Sequence, residues 1–222
     1  GSILLNANNL SLTGGAQVVT STTGTGQGGS VTANAGESIS ISGGGSLPSG
    51  LFSTASSTGN AGQITVSTPT LTMGESGTIS VATEGSGNAG NITLNVGNLT
   101  QTGGAQVVSS TTGAGAGGNL TVTATNSIFV SGSGSQSSGL FSTASSTGNA
   151  GEVTVSTQTL TMGDGGTISV ATSGAGNAGN VLMNVSNFSL TGGAQIVSST
   201  SGAGQGGSVT DNATDSGSIS GQ

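Results

Sequence analysis

A period of 89 residues governs this sequence. Thr13-Gly14-Gly15-Ala16-Gln17-Val18-Val19 returns at Thr102 to Val108, and again at Thr191 to Val197 with Ile196 in place of a valine. The fourteen residues Ser49 to Gly62 recur unchanged at Ser138 to Gly151. Repetition on this scale points to stacked structural units rather than a globule built around one active site.

The long period has an inner beat. A marker divides it: Gly or Ala, then Gly, then a polar residue, then an aliphatic one. Its second glycines are Gly29, Gly62, Gly90, Gly118, Gly151, Gly179 and Gly207, spaced 33, 28, 28, 33, 28 and 28 residues apart. Gly1 falls 28 residues before Gly29 and fits the frame. The chain therefore divides into coils at about 1–29, 30–62, 63–90, 91–118, 119–151, 152–179 and 180–207, with a partial coil at 208–222. The five extra residues of the longer coils lie in a Gly/Ser-rich insert, Gly43 to Gly50 and its copy near Gly132 to Gly139.

Alignment on the marker produces columns. Two residues after the glycine come Ile3, Val31, Ile64, Ile92, Leu120, Val153, Val181 and Val209. Four residues after it come Leu5, Ala33, Val66, Leu94, Val122, Val155, Met183 and Asp211. Between them lie Leu4, Thr32, Thr65, Thr93, Thr121, Thr154, Leu182 and Thr210. Such alternation is the signature of a strand with one buried face. A second strand carries Leu10/Leu12, Ile39/Ile41, Leu71/Met73, Leu99, Ile128/Val130, Leu160/Met162 and Phe188/Leu190. A third is anchored by Val18, Leu51, Ile79, Val107, Leu140, Ile168 and Ile196. Two polar residues interrupt the apolar columns. Gln101 stands where Met or Leu is expected, and Asp211 stands in the second buried column. Gly221, read as part of the second strand, joins Asp211 in marking a loss of order at the C-terminus.

Three short strands per coil predict an all-β chain folded as a parallel β-helix, a β-solenoid of about seven to eight coils. Stacked at the interstrand spacing, seven coils make a rod on the order of 35 Å long. Helix is excluded by the dominance of Gly, Ser, Thr and Asn. A disordered Gly/Ser linker has no reason to keep aliphatic residues in columns. One coil alone buries too little to offset the entropy of ordering it, so stability should grow with coil number.

Composition narrows the chemistry. The 222 residues include no Lys, Arg, His, Cys, Trp or Tyr. The charges are Glu37, Glu75, Glu84, Glu152, Asp164, Asp211 and Asp215, for a net −7. Without cations, nucleic acid and anionic membranes are poor partners. No apolar run approaches the roughly 20 residues of a membrane span, so no membrane insertion is expected. Disulfides and thiolate metal sites are ruled out by composition. A basic signal-peptide region is missing, so the sequence reads as a mature or interior piece. The absence of Lys and Arg also removes every trypsin site, which suits a protein exposed outside cells.

Catalysis has few candidates left. A carboxylate pair is the one surviving acid–base design, and glycosidases hold theirs about 5–10 Å apart. Glu75 and Asp164 share a column three coils apart, roughly 14 Å at the strand spacing. Glu84 and Glu152 belong to different columns. The expectation is therefore no enzyme, no catalytic residue, no cofactor and no metal. Calcium-binding nonapeptides pair their glycines with a recurring Asp. Gly113 to Asn119 has the glycines without it. Those glycines read as corner residues with positive φ, and no Lys follows them to complete a phosphate loop.

Two surface arrays remain. Thr32, Thr65, Thr93, Thr121 and Thr154 form a ladder along one outward face. It resembles the threonine arrays of ice-binding β-solenoids, which generally use paired columns, and it also fits simple strand stabilisation. Val19, Phe52, Val108, Phe141 and Val197 should point outward beside the third buried column. They form an exposed apolar stripe for lateral packing or ligand contact, unless the inserts cover it or the register slips. Asn-x-Ser/Thr sequons begin at Asn9, Asn91, Asn98, Asn119, Asn184, Asn187 and Asn212, largely as so Ser/Thr-rich a chain requires.

Units such as Gly90-Asn91-Ile92-Thr93-Leu94-Asn95, then Asn98-Leu99-Thr100, then Gly103-Gly104-Ala105-Gln106-Val107 resemble filamentous-haemagglutinin-like exoproteins of two-partner secretion. The nearest pattern is the long arrays of cyanobacteria and other Gram-negative bacteria, and it covers essentially the whole chain. The resemblance implies a right-handed parallel β-helix, secretion through an outer-membrane partner, a secreted or cell-surface location, and an adhesive or surface-structural role. The family's N-terminal secretion domain with its Asn-Pro motifs has no counterpart, the prolines being Pro48 and Pro69. The segment thus reads as a shaft. Alternatives are a module binding ice, a glycan or a host surface through a flat repetitive face, and a subunit that self-associates laterally or end to end into filaments.

Overall fold

The computed structural model describes residues 1–44, 46–132 and 136–220. Among them the chain is all-β, with sixteen strands and no helix. One strand series comprises β1 (Ile3–Thr13), β3 (Val31–Ser42), β5 (Ile64–Gly74), β7 (Ile92–Gln101), β9 (Leu120–Ser131), β11 (Val153–Gly163) and β13 (Val181–Leu190). It ends in two short strands, β15 (Val209–Asp211) and β16 (Ser216–Ile219), both paired with β13. The other series comprises β2 (Gln17–Thr22), β4 (Gly50–Ala55), β6 (Thr78–Thr83), β8 (Gln106–Thr111), β10 (Gly139–Ala144), β12 (Thr167–Thr172) and β14 (Gln195–Thr200). The first series makes a nine-stranded sheet and the second a seven-stranded sheet. Each strand pairs in parallel with its counterpart one turn away, so the molecule is a β-solenoid of eight turns.

The sequence columns are the register. Thr32 pairs with Thr65, Thr65 with Thr93, Thr93 with Thr121, and Thr154 with Thr121. The first two expected strands of each turn run on as one long strand, and only the eighth turn separates them. The join is visible in the burial phase. Along β5 the buried positions are Ile64, Val66 and Thr68, then Leu71 and Met73. Three residues instead of two separate Thr68 from Leu71, so the strand bends and its inward face is kept. Register shifts fall at the same place, between Ala7 and Asn9 and between Asn34 and Ser38. Each bend absorbs the one- or two-residue difference in strand length.

Between the sheets lies one continuous core. In the third turn Ile64, Val66, Leu71, Met73, Ile79 and Val81 are all fully buried. Each such side chain contributes about 1.5–3 kcal/mol relative to exposure. The core runs from Leu12 to Leu190, and Leu5, Leu10, Val18, Phe188 and Ile196 pack on its ends partly exposed.

The inserts have a structural task. Buried Ser49 accepts a hydrogen bond from the Gly15 N–H at 2.9 Å, and Ser138 does the same for Gly104 at 3.0 Å. Gln17 Nε2 donates to the Pro48 carbonyl at 2.9 Å, and Gln106 Nε2 to that of Ser137 at 3.1 Å. Each insert thus folds back onto the Thr-Gly-Gly-Ala corner of the turn before it.

The eighth turn departs from the others. Asp211 occupies the expected column opposite Met183 but is exposed, and among the described residues no further turn lies over it. Gly217 takes the place held elsewhere by Ile39 or Ile128, and it pairs with Phe188. A Cβ at Gly217 would overlap the Phe188 ring. The large ring below and the missing side chain above compensate each other. Gly221 lies outside the described residues.

Candidate functional surfaces

The five ladder threonines are half-buried on the outward face, in unbroken register from Thr32 to Thr154. The ladder is flanked at its ends by Leu4 and Leu182. It is chemically uneven: Thr154 Oγ1 donates to Glu152 Oε1 at 3.1 Å. Neighbouring outward columns do not repeat it, holding Asn34, Ser67, Asn95, Thr123 and Ser156 in turn.

The Val/Phe stripe also faces outward, with no slip of register in its sheet. Val19 pairs with Phe52 and Val108 with Phe141, while Ser80 and Ser169 interrupt the row. Val19 is 44% exposed, and Phe52, Val108, Phe141 and Val197 are half-buried. It is therefore two apolar pairs and a single Val197, separated by serines.

Asparagine amides are engaged between turns. At one corner Asn60 Oδ1 accepts from the Asn88 N–H, Asn88 Oδ1 from that of Ala116, Asn149 Oδ1 from Asn177 and Asn177 Oδ1 from Gln205, all at 2.8 Å. Among the sequon residues, Asn91 Oδ1 accepts from the Asn119 N–H and Asn119 Oδ1 from that of Glu152, each at 2.9 Å. Asn98 and Asn187 accept from Ser127 and Ser216 hydroxyls, and Asn184 from the Asn212 amide. Asn9 accepts from Ser38 and donates to Glu37. At the corners these amides add to backbone bonds between turns, such as that from the Ala61 N–H to the Asn88 carbonyl at 3.0 Å, whereas Asn9, Asn98, Asn184 and Asn187 lie along the strands.

The expectation of positive φ for the glycines of Gly113 to Asn119 requires a correction, which extends to the marker glycines. Neither they nor the glycines of Gly113 to Asn119 have positive φ. They are glycine because stacked backbones approach too closely for a side chain. A Cβ at Gly62, Gly90, Gly118, Gly151, Gly179 or Gly207 would overlap the carbonyl oxygen of the marker glycine one turn before. Gly113 and Gly115 meet Gly85 and Gly87 in the same way. Positive φ belongs to the other corner. Gly14 and Gly15 have φ of 63° and 88°, Gly103 and Gly104 60° and 80°, and Gly192 and Gly193 57° and 76°. A hydrogen bond closes each four-residue turn, as from the Ala105 N–H to the Thr102 carbonyl at 3.1 Å. Two central residues with positive φ are the mark of a type I′ turn. Glu75 and Ser76 take the same conformation at 47° and 64°, and Asp164 and Gly165 at 47° and 74°.

The acidic residues stay apart. Glu75 and Asp164 occupy equivalent corners three turns from each other, and each accepts from a serine of the preceding turn: Ser42 at 3.2 Å and Ser131 at 3.1 Å. Among the described residues, no three His, Cys, Asp or Glu side chains gather as a metal site would require. Partial desolvation pushes the Asp211 carboxyl above its ordinary 3.8.

Sequence reasoning missed a set of buried serine clips. Ser53, Ser109 and Ser142 point inward, and each Oγ accepts from the marker-glycine N–H nine residues later: Gly62, Gly118 and Gly151, all at 2.9 Å. Ser198 does so for Gly207 at 3.1 Å. Each hydroxyl also donates to the carbonyl of an earlier marker glycine, as Ser142 to Gly118 at 3.0 Å and Ser109 to Gly90 at 3.2 Å. The recurring nine-residue offset was the available signal. Val81 and Val170 replace the serine in every third turn. Gln101 is fully buried between Met73 and Val130. Its Nε2 donates to the Gly139 carbonyl at 3.2 Å, and its Oε1 has no partner.

An open groove of about 570 Å³ follows the bend of the long strands, lined by Ser67, Thr68, Pro69, Asn95, Asn98 and Thr123. Its polar groups are hydroxyls and amides without a charge. Comparison with protein-family models, curated proteins and solved structures finds no match to this chain.

Proposed function

We propose that this chain is a shaft: a rigid structural element, stalk or fibre segment of a secreted or surface-exposed adhesin-like protein, without a catalytic step. The observation that carries this reading is where the polar side chains go. Asparagine, serine and glutamine groups of each turn bond the backbone or side chains of the next, so much of the surface chemistry is committed to stacking. The order of motifs, similar to filamentous-haemagglutinin-like exoproteins, supports secretion through an outer-membrane partner and location outside the cell. A fibre element also suits a chain that offers trypsin no site.

The second reading is a binding module. The in-register threonines favour ice, and the uncharged polar groove favours a glycan. An ice-recrystallisation assay and a glycan array on the purified chain separate the two functions. The shaft reading expects neither activity at micromolar protein. Ice shaping or saturable glycan binding that is lost on Thr93→Lys or Asn95→Ala would replace it with the second.

A further inference from the structure

The outward face of the seven-stranded sheet repeats every three turns in all of its columns. The middle column reads Val-Phe-Ser from Val19 through Phe52 to Ser80, again from Val108 to Ser169, and opens a third time at Val197. A second column reads Ser-Thr-Ala, from Ser21 to Ala82 and from Ser110 to Ala171. The third reads Gln-Gly-Thr, from Gln17 to Thr78 and from Gln106 to Thr167. A turn carrying a Phe ring is thus followed by a lean one carrying Ser and Ala. No outward position of this sheet is charged, in a chain of net −7. Glu75, Glu84 and Asp164 stand at its margins, in the corners beside β6 and β12.

We propose that this face pairs two copies of the chain, lying antiparallel as rods, through an isologous interface centred on Val108. The order of residues is complementary to its own reverse. With the valines aligned, Val-Phe-Ser meets Val-Ser-Phe. A two-fold axis along β8 sets Val108 against Val108, Phe52 against Ser169 of the second copy, and Ser80 against its Phe141. Thr54 likewise meets Ala171, and Ala82 meets Thr143. Each ring enters the space above a serine, the interdigitation that packs facing sheets. A two-fold along the rod axis would instead set Phe on Phe and Ser on Ser, leaving gaps that forfeit contact. The pattern recurs every three turns, so the fit does not depend on how many turns are stacked. The area suffices as well. Seven six-residue strands, about 4.8 Å apart and rising roughly 3.3 Å per residue, present on the order of 600 Å² per copy. The pair hides about 1,200 Å², within the range of specific complexes. The nine-stranded sheet offers no such face. It carries Glu37, and its exposed Phe129 lies between Thr100 and Thr161 without a recurring partner.

The inference does not rest on the shaft reading, which a monomeric chain leaves standing. Sedimentation of the whole chain at up to about 100 μM is expected to show a concentration-dependent dimer. A monomer throughout overturns the proposal. Val108→Asp sets two carboxylates together at the axis and should weaken the dimer about tenfold or more. Ser80→Asp, at a position already polar, brings a charge against the Phe141 ring and should weaken it too. Thr93→Asp, on the outward face of the other sheet, should leave the dimer intact. Circular dichroism shows whether each variant is folded. A dimer that survives either sheet substitution in a folded variant, or that Thr93→Asp weakens equally, overturns the proposal. Cysteine is absent from the chain, so single nitroxide labels report the orientation. Labels at Thr112→Cys, in the turn of the axis, should lie nearer their copies than labels at Thr23→Cys, which are displaced by roughly 29 Å along the rod. Equal separations mean parallel rods and overturn the antiparallel pairing.

Discussion

Two corners of each turn are rich in glycine, for different reasons. At the marker corner, from Gly62 through Gly207, the residue is glycine because the backbone of the adjacent turn occupies the place of a side chain. At the Thr-Gly-Gly-Ala corner it is glycine because φ is positive, while the space beside it is often free, as at Gly14 and Gly193. The first constraint is steric and allows no exception in any complete turn. The second is a conformational preference, which this chain sets aside at Glu75, Ser76 and Asp164. The marker corner therefore fixes how closely the turns stack. The other corner is where the sequence is free to depart from glycine.

Substitutions can break or sharpen that contrast. The largest effect is expected at the marker corner. Gly90→Ala places a methyl group on a backbone oxygen that cannot move without parting two turns, and should cost about 3 kcal/mol or more. Chemical unfolding followed by circular dichroism measures it, and a loss below about 1 kcal/mol would show that the turns can separate cheaply. Next comes the clip that holds the same corner from inside. Ser109→Ala strands the Gly118 N–H in the core and should cost about 1–3 kcal/mol. At the second corner the sign reverses. Ser76→Gly relieves a strained φ and should stabilise by roughly 1 kcal/mol or less, the gain being trimmed by glycine's greater freedom when unfolded.

The smallest effect lies at the eighth turn. The folded state favours the neutral form of Asp211, whose carboxyl is raised above 3.8. Its contribution is therefore fully present below the unfolded pKa and is lost as pH rises through the folded one. Side-chain NMR titration should place Asp211 above 3.8, and a midpoint at or below that value contradicts the assignment.

The columns of this fold were open to reading because aliphatic alternation and register are one pattern: Ile64, Ile92 and Leu120 fall in line whether aligned by eye or by hydrogen bonds. The outward direction of Phe52 and the threonines followed from the same alternation. The reason for each glycine was not legible, since one letter stands for both a positive φ and a close contact. Gly62 and Gly103 look alike until the neighbouring turn is in place. The serine clips were hidden for a related reason. Serine reads as a surface residue in so polar a chain, and only the fixed offset from Ser53 to Gly62 and from Ser109 to Gly118 sets these apart. The join of the first two strands was visible in principle, in the odd step between Val66 and Leu71, but that step is equally compatible with a loop.

The most direct test compares two alanines one corner apart in the same turn: Gly151→Ala and Gly165→Ala. Gly151 would carry its methyl group into the Gly118 carbonyl oxygen, whereas Gly165 at φ 74° has only the Gly132 oxygen at 3.4 Å beside it. Unfolding in urea should show Gly165→Ala losing about 1 kcal/mol and Gly151→Ala losing at least about 2 kcal/mol more. Equal losses, or a larger one at Gly165, would contradict the claim that backbone contact at the marker corner sets the stacking of the rod.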